Sequence, residues 1–322
     1  MFKRVVLTLL CLGLGLGLAS FAQAQDYPTK PIKIVVPFTA GGGVDGIGRA
    51  LADKLAAKLG QPVIVDNRPG ASGNIAAEYV YKSPPDGYTL FVGGDGSLAV
   101  NQMLFAKLNF EPEKFEPISM LAVSPMMITV NARVPVRTLQ ELIAYGKANP
   151  GKITFGSAGA GGASHLAAEV FQKSTGTRFV HVPYKGILQA FNDVIAGHVD
   201  MMFGFEASVG PHMHGDRVRV LAVTGAKRHP ALPNVPAVSE VVPGYVMVSW
   251  ATLVAPPGTP ASVIQKLSAA TVEVMGMPDV IERVRLLGYQ VVGTNAAATK
   301  TQLKQEAERW RKIVPSLGIT PE

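Results

Sequence analysis

The sequence has 322 residues, with 30 basic and 23 acidic side chains, a net charge of +7 and one cysteine. The charges are spread without a basic run, and nucleic-acid binding needs clustered basic side chains, so the composition argues against that function. One cysteine cannot form an intramolecular disulfide, so the fold must be stabilised by its hydrophobic core. At roughly 100–200 residues per domain, the chain is long enough for two domains.

The first 24 residues have the pattern of a secretory signal peptide. Two basic residues precede an uncharged apolar run from Val5 to Leu18, and Ala22-Gln23-Ala24 matches the small-residue cleavage motif. The run is shorter than the roughly 20 apolar residues that a membrane-spanning helix needs. Cys11 lies within this run, so the mature chain has no cysteine and no thiol for catalysis. We expect a periplasmic protein.

Two series of alternating strand-like and helix-like segments follow. The first series, from Ile32 to Phe105, is typical of a parallel α/β sheet. Its clearest helix, predicted from Asp45 to Leu59, has an apolar residue at every fourth position from Ile47, and Gly60 is placed to end it. The last helix of this series is predicted from about Ser97 to Phe105. The second series predicts a second α/β unit. Its predicted elements include strands from Met126 to Val130 and Val218 to Val223, and helices from Leu139 to Ala148 and Ile187 to Ala196.

Two apolar segments connect these units. Ile118 to Val123 is predicted as a crossing strand, and Tyr245 to Val254 is predicted to return within a stretch rich in proline and glycine. The helices after Pro260 would then complete the first unit. The predicted domains are the signal peptide at 1–24, lobe 1 at 25–122 and 250–322, and lobe 2 at 123–249.

The first candidate binding loop, Pro37 to Asp45, follows the first predicted strand and opens the first helix. Ligands of open α/β sheets collect at the carboxyl ends of strands. Its three consecutive glycines allow close approach of the backbone, and free N–H groups with the helix dipole favour an anion. The alternative is a flexible turn that binds nothing. The predicted ligand contacts are Phe38, Thr39, Ala40, Gly41 and Gly42.

A second glycine-rich loop, Gly156 to His165, again follows a strand and precedes a helix. Facing the first loop across a cleft, it would suit a ligand with two anionic ends, or with one anionic and one polar end. Neither loop contains arginine or lysine, so carboxylate recognition would depend on N–H groups, hydroxyls and ordered water. Ser164 is also a candidate N-cap. The predicted contacts are Ser157, Ala158, Gly162, Ser164 and His165.

Three further residues are predicted to line the cleft. Asp95 and Ser97 lie in a loop after the third strand, and Tyr184 offers an aromatic wall with a hydroxyl, the alternative being a tyrosine in the core. Asp95 leaves two interpretations open. If its carboxylate faces the ligand, an ammonium group is favoured; if it only caps the next helix, the ligand is purely anionic.

Three patterns resemble motifs of other functions, but each lacks a feature that its motif requires. Gly41-x-Gly43-x-x-Gly46 fits the dinucleotide fingerprint, but Pro37 to Ala40 separate it from the strand that it should follow directly. There is no Gly-x-Ser-x-Gly elbow, and Ser164 and His165 are neighbours on a helix, where side chains diverge. His212-Met213-His214-Gly215-Asp216 lacks a third convincing metal ligand. The sequence predicts no catalytic residue, metal site or cofactor.

A set of short motifs runs in order through the mature sequence. It includes Pro37-Phe38-x-Ala40-Gly41-Gly42-x-x-Asp45, Asn67-Arg68-Pro69-Gly70-Ala71, Pro85-Asp86-Gly87-Tyr88-Thr89-Leu90, Ser164-His165-Leu166, His181-Val182-Pro183-Tyr184-Lys185-Gly186 and Ala255-Pro256-x-Gly258-Thr259-Pro260. At these residues the chain resembles the substrate-binding receptors of tripartite tricarboxylate transporters, the Bug family. The resemblance covers nearly the whole mature chain, and the ordered set is specific although its single pieces are weak.

This resemblance implies an α/β, two-lobed periplasmic binding protein fold of type II, with a double crossover and a ligand cleft between the lobes. In the family a carboxylate is held at the first loop, partly through ordered water, and the second loop closes on it. These positions correspond to Phe38 to Gly42 and Ser157 to His165. Thr39 stands where proline is usual, and Asp95 stands where the family varies with the ligand, so the ligand class stays open.

The implied ligand is a small carboxylate: a di- or tricarboxylate, an acidic amino acid or an aromatic acid. The implied partners are membrane transporter subunits that bind transiently. We expect a monomer that binds no nucleic acid, uses no cofactor and is not an enzyme. Two alternatives remain, a ligand-sensing partner of a membrane signalling receptor and a periplasmic enzyme.

Overall fold

The computed structural model describes residues 27–159, 161–184, 186–213 and 215–318. The predicted signal peptide, its cleavage site and Cys11 lie outside these ranges. Within them, no helix combines the length and the apolar character that crossing a bilayer would require.

The first five elements alternate strand and helix and form a parallel sheet, as the sequence predicts. They are β1 (Ile32–Val36), α1 (Gly43–Leu59), β2 (Val63–Asn67), α2 (Asn74–Tyr81) and β3 (Thr89–Gly94). β1 lies between β2 and β3 and pairs with both in parallel. Its alternate side chains enter two different hydrophobic clusters, with Val35 on one face and Ile34 and Val36 on the other. Both faces of this sheet are therefore buried.

Two helices in this part differ from the prediction at their ends. α1 begins at Gly43, two residues before the predicted start, and it ends where Gly60 adopts the predicted left-handed conformation, with φ 69°. The single helix predicted after β3 is a π-helical turn, Gly96–Val100, followed by the short α3 (Asn101–Leu104). Three consecutive apolar residues of the π-helical turn are buried, a pattern that no single face of an α-helix provides.

The middle of the chain forms a second sheet. Its elements are β4 (Glu116–Asn131), α4 (Leu139–Ala148), β5 (Thr154–Ser157), α5 (Ala163–Thr175), β6 (Val180–Pro183), α6 (Ile187–Ala196), β7 (Met201–Phe205), α7 (Glu206–Val209) and β8 (Val218–Val223). β5 pairs in parallel with β6 and β7, whereas β4 pairs antiparallel with β7 and β8. The predicted second α/β unit is therefore confirmed.

The last third of the chain returns to the first sheet. Its elements are β9 (Val248–Ala255), α8 (Ala261–Met275), α9 (Pro278–Leu286), β10 (Gln290–Val291) and α10 (Ala296–Ile313). β9 pairs antiparallel with β3 and β4, and β10 pairs with β4. α8 packs on α1 and β4, so the chain after Pro260 returns to the elements of the first sheet.

The outward crossing is one long strand rather than two. The sequence predicted Ile118 to Val123 and Met126 to Val130 as separate strands, but β4 runs through both. Pro125 does not interrupt it, because this residue lies beside β9, opposite Val248, where the strand passes from one sheet to the other. β4 thus belongs to both sheets.

Thr224 joins the two connections between the sheets. Its buried hydroxyl accepts a hydrogen bond from the N–H of Met126 at 2.7 Å and donates one to the carbonyl of Met247. The backbone of Thr224 also pairs with Met126 and Met247. The outward and the returning segment are therefore held together at one residue.

Candidate ligand-binding cleft

The first glycine loop is held by a buried carboxylate that the sequence analysis did not assign to the site. Asp45, in the first turn of α1, accepts hydrogen bonds from the N–H of Gly41 at 2.8 Å and from Arg49 at 2.9 Å. Its other oxygen accepts one from Asn67 at 2.9 Å. Burial alone would raise the pKa of Asp45, but the bonds from Arg49, Gly41 and Asn67 outweigh it and hold the pKa below 3.8.

Asp45 changes which N–H groups of this loop can meet a ligand. The N–H of Gly41, expected to be free, is occupied by the Asp45 carboxylate. The N–H groups of Gly42, Gly43 and Val44, at the start of α1, donate no hydrogen bond to any described residue. An anion at this loop would therefore meet the N-terminus of α1.

The predicted contacts of the first loop lie on its outer side. Phe38 is 47% exposed, and the residues from Thr39 to Gly41 are also exposed. The carbonyl of Phe38 accepts a hydrogen bond from Asn67, which ties the loop to the end of β2. These residues are accessible to a ligand, and their role in binding stays a prediction.

Three predicted contacts of the second loop are buried and bind its own backbone. The hydroxyl of Ser164 accepts a hydrogen bond from the N–H of Ala158 at 3.1 Å. In the same way Ser157 accepts one from Gly159 at 3.1 Å, and Nδ1 of His165 accepts one from Gly161 at 3.0 Å. These side chains therefore fix the shape of the loop.

Ser164 is not the N-cap, so that part of the prediction is wrong. α5 begins at Ala163, and the N-cap is Gly162, whose dihedral angles are extended. Ser164 already lies in the first turn, so its hydroxyl reaches back to Ala158 instead of capping the helix. Ala163 and Ser164 lie in the first turn of α5, where N–H groups have no acceptor within the helix, as Gly43 and Val44 do in α1.

His181 is a residue of the site that sequence reasoning missed. Its Nε2 lies 2.6 Å from the hydroxyl of Ser157, and its ring stacks on that of His165 with centroids 4.0 Å apart. The sequence showed His181 only within a family motif. The pairing of Phe155 with His181 in the β5–β6 register is what brings this ring behind the loop, and no sequence spacing predicts that register.

Asp95 fits neither of its two interpretations fully. The segment after it has no side-chain cap, so the interpretation of Asp95 as a helix cap is wrong. Its carboxylate is buried and accepts hydrogen bonds from the hydroxyl of Ser249 at 2.6 Å and the N–H of Trp250 at 3.4 Å. Burial raises the pKa of Asp95 to about 7 against the bond from Ser249, and nearby Glu306 adds to the rise. Contact with a ligand stays a prediction.

The remaining predicted contacts differ in accessibility. Ser97 is buried beside Gly73 and Pro37, so the loops after β1, β2 and β3 meet at one end of the first sheet. The hydroxyl of Tyr184 donates to Asp193 at 2.6 Å. Burial raises the pKa of Tyr184 to about 12, and Asp193 contributes to the rise.

The second glycine loop also touches the first unit. A Cβ placed on Gly161 would lie 2.5 Å from Cδ1 of Leu104, at the end of α3, so any larger residue would collide there. Gly161 also has φ +71°, which favours glycine independently. The loop after β5 and the segment after the Asp95 loop are therefore in direct contact.

The two arginines near the first loop are already paired. Arg49 binds Asp45, and Arg68 binds Asp66 at 3.0 Å and lies over the ring of Tyr79. Among the described residues, no cluster of three histidine, cysteine, aspartate or glutamate side chains could hold a metal ion. His214, from the histidine-containing motif, lies outside the described ranges.

A separate groove of about 500 Å³ lies between α8, α9 and β10, away from the second loop. Its walls include Met275, Ile281, Arg285 and Tyr289. Tyr289 also touches the first loop, since a Cβ on Gly43 would lie 2.6 Å from its ring. This groove is the alternative location for a ligand.

Two α/β units joined by β4 and β9, with a glycine-rich loop opening a helix in each, define the class of periplasmic binding proteins. A family model described as "Tripartite tricarboxylate transporter family receptor" matches residues 47–319. The protein BugT of Bordetella pertussis is 33% identical over 305 residues, which cover 94% of each chain. The chain therefore belongs to the family of tripartite tricarboxylate transporter receptors, and the predicted resemblance is confirmed.

Two solved structures support the predicted fold. Rpa4515 of R. palustris with adipate has a TM-score of 0.84 and 34% identity, covering 92% of this chain and 100% of that chain. MatC of Rhodopseudomonas palustris with bound malate has a TM-score of 0.80 and 29% identity, covering 89% and 100%. The two-lobed α/β fold of periplasmic binding proteins is thus confirmed.

Proposed function

We propose that this protein is a periplasmic receptor that captures a small carboxylate between its two lobes and delivers it to membrane subunits of a tripartite tricarboxylate-type transporter. The observation that carries the proposal is the pair of glycine loops at the starts of α1 and α5, each fixed by buried side chains of its own. Helix N-termini favour anions, because their first N–H groups have no acceptor within the helix. The adipate and malate bound by the two solved relatives support this ligand class.

The proposal assigns two different tasks to the residues of the site. Phe38, Thr39, Ala40 and Gly41 are exposed and contact the ligand, together with the N–H groups that begin α1 and α5. The buried side chains hold the loops in place and contact the ligand little: Ser157, Ser164 and His165 in the second loop, and Asp45 in the first.

The domain boundaries belong to the same proposal. We place lobe 1 at 25–122 and 250–322 and lobe 2 at 123–249, after a signal peptide at 1–24. The change of pairing partner of β4 near Pro125 and the start of β9 at Val248 support these limits within a few residues. The receptor acts as a monomer.

We propose binding without turnover. The close contact between Ser157 and His181 looks like a nucleophile with its base, but the hydroxyl of Ser157 belongs to a residue with 0% exposure. A nucleophile must reach its substrate, and this hydroxyl is instead engaged with the backbone of Gly159. We therefore assign Ser157 and His181 a structural role in holding the loop.

A thermal-shift measurement tests the proposed function. We expect one or more of adipate, malate, citrate, glutamate and benzoate to raise the melting temperature, because a ligand at 100 times its Kd stabilises the native state by about 2.7 kcal/mol. Adipamide, which has the shape of adipate without its charge, is the control and should give no shift. If no acid shifts the melting temperature, or if adipamide matches adipate, the protein is not a carboxylate receptor.

A further inference from the structure

Two histidines lie behind the second glycine loop. One accepts a hydrogen bond from an N–H group of the loop, and the other contacts the hydroxyl that accepts a second one. The rings of His165 and His181 stack with 13° between their planes and centroids 4.0 Å apart. His165 accepts the N–H of Gly161 directly. His181 contacts the hydroxyl of Ser157, which in turn accepts the N–H of Gly159. His165, on α5, thus binds the loop directly, and His181, on β6, binds it through Ser157.

We propose that His165 and His181 are a neutral, stacked pair of positioning residues, which holds the second loop in the shape that presents the start of α5 to an anion. The inference rests on the proposed function, because the loop matters for binding only if it meets the ligand. His181 acts through Ser157, and His165 acts on Gly161. Neither ring needs to touch the ligand.

The hydrogen bonds of His165 require a neutral ring. Nδ1 accepts the N–H of Gly161, so the proton of the neutral imidazole is on Nε2, which faces Glu169 at 3.6 Å. Protonation at Nδ1 would break the bond to Gly161. Burial, with His181 adjacent, lowers the pKa of His165 to about 4, and burial also lowers the pKa of His181. Both rings therefore stay neutral near pH 7.

The stacking geometry explains why aromatic rings occupy these positions. The ring of His181 also lies 4.8 Å from that of Phe155, and the rings of Phe155 and His165 are 6.2 Å apart, so three nearly parallel rings form a compact cluster behind the loop. Replacing His181 by phenylalanine should keep the contacts between the rings and remove the nitrogen that contacts Ser157. The substitution therefore separates packing from hydrogen bonding.

Amide exchange of the unliganded protein, measured by NMR, tests the inference without any ligand. In His181→Phe we expect the amide of Gly159 to exchange roughly tenfold faster, about the effect of one lost hydrogen bond, whereas the amide of Gly161, which His165 accepts, should change less. Ser157→Ala should have the same effect, and the double variant should add little to it. His181→Gln, which returns a polar group near the position of Nε2, should restore slow exchange. His229→Phe is the matched control, because His229 is a largely buried histidine bound to Glu206, away from the loop.

Unchanged exchange in His181→Phe would overturn the inference, as would full additivity of the His181→Phe and Ser157→Ala effects. If His181→Phe does not fold, His165→Asn and His165→Leu replace it. Asparagine keeps an acceptor near the position of Nδ1 and should retain slow exchange at Gly161, whereas leucine should lose it. Equal exchange in these two variants would contradict the role of His165.

Ligand titration separates this inference from the proposed function. With adipate and malate as probes, His181→Phe should bind roughly tenfold more weakly than the wild type, and His181→Gln should recover most of the loss. Faster exchange in His181→Phe with no acid bound by the wild type would support the positioning role and reject the carboxylate receptor. Faster exchange with unchanged acid affinity would show that the loop does not serve the ligand and would overturn the inference.

Discussion

The shape of the two candidate binding loops depends on individual buried polar residues more than on their glycines. The sequence identified both glycine loops from their position between a strand and a helix, and it placed Ser157, Ser164 and His165 in the second one. Their orientation was not predictable, because the register between β5 and β6 decides which side chains meet behind the loop. Asp45 could have been found, since an acidic residue in the first turn of a helix favours contact with preceding N–H groups.

The buried carboxyl of Asp95 links stability to pH near neutrality. Its carboxyl has a pKa of about 7 in the folded protein because it is buried, against about 3.8 when exposed. Between these values the folded state binds more protons than the unfolded state, so stability falls as pH rises through this window. Ionisation of the buried group thus costs free energy near neutral pH.

We therefore expect Asp95→Asn to be more stable than the wild type at pH 8, by up to about 4 kcal/mol, with the difference shrinking toward pH 4. Urea unfolding from pH 4 to 8 measures this, and the partly exposed Asp86→Asn is the control. Parallel stability curves for Asp95→Asn and the wild type would contradict the buried, ionising carboxyl.

The elements of the fold were largely predictable, and the connections between the units were less so. α4, α6 and β8 have the limits that hydrophobic periodicity indicates. The apolar pattern predicts two strands, on either side of Ser124 and Pro125, but pairing with β9 carries β4 through both residues. Long-range pairing of this kind leaves no local signal in the sequence.

Thr224 offers a test of these connections at the level of the elements. Thr224→Val keeps the size of the side chain but leaves the N–H of Met126 and the carbonyl of Met247 without their hydroxyl partner. A buried polar group without a partner costs about 1–3 kcal/mol, so we expect the free energy of unfolding to fall by about 2–3 kcal/mol.

The chain provides a matched control for this substitution. Thr252, on β9, is also fully buried, but its hydroxyl has no hydrogen-bond partner among the described residues. Thr252→Val should therefore leave stability unchanged or raise it slightly. Denaturant unfolding measures the free energy of unfolding of both variants. If it falls equally in the two, Thr224 does not hold the connections together.

At the level of the whole molecule, the two lobes are already in contact near the candidate cleft. Gly161 of the second loop lies against Leu104, and one hydrophobic cluster runs from Phe91 in the first sheet to Phe155 in the second. The fold brings the start of each glycine-loop helix to the carboxyl end of its sheet. The motifs of the sequence indicated this arrangement, whereas the contact at Leu104 needed the structure.

Hydrogen–deuterium exchange with and without the acid that gives the largest thermal shift tests the central claim most directly. A carboxylate held between the lobes should slow exchange at both 38–45 and 158–166, and leave the groove between α8 and α9 unchanged. Protection in one loop alone, or protection centred on Ile281 and Val292 in that groove, would contradict capture of the ligand between the two glycine loops.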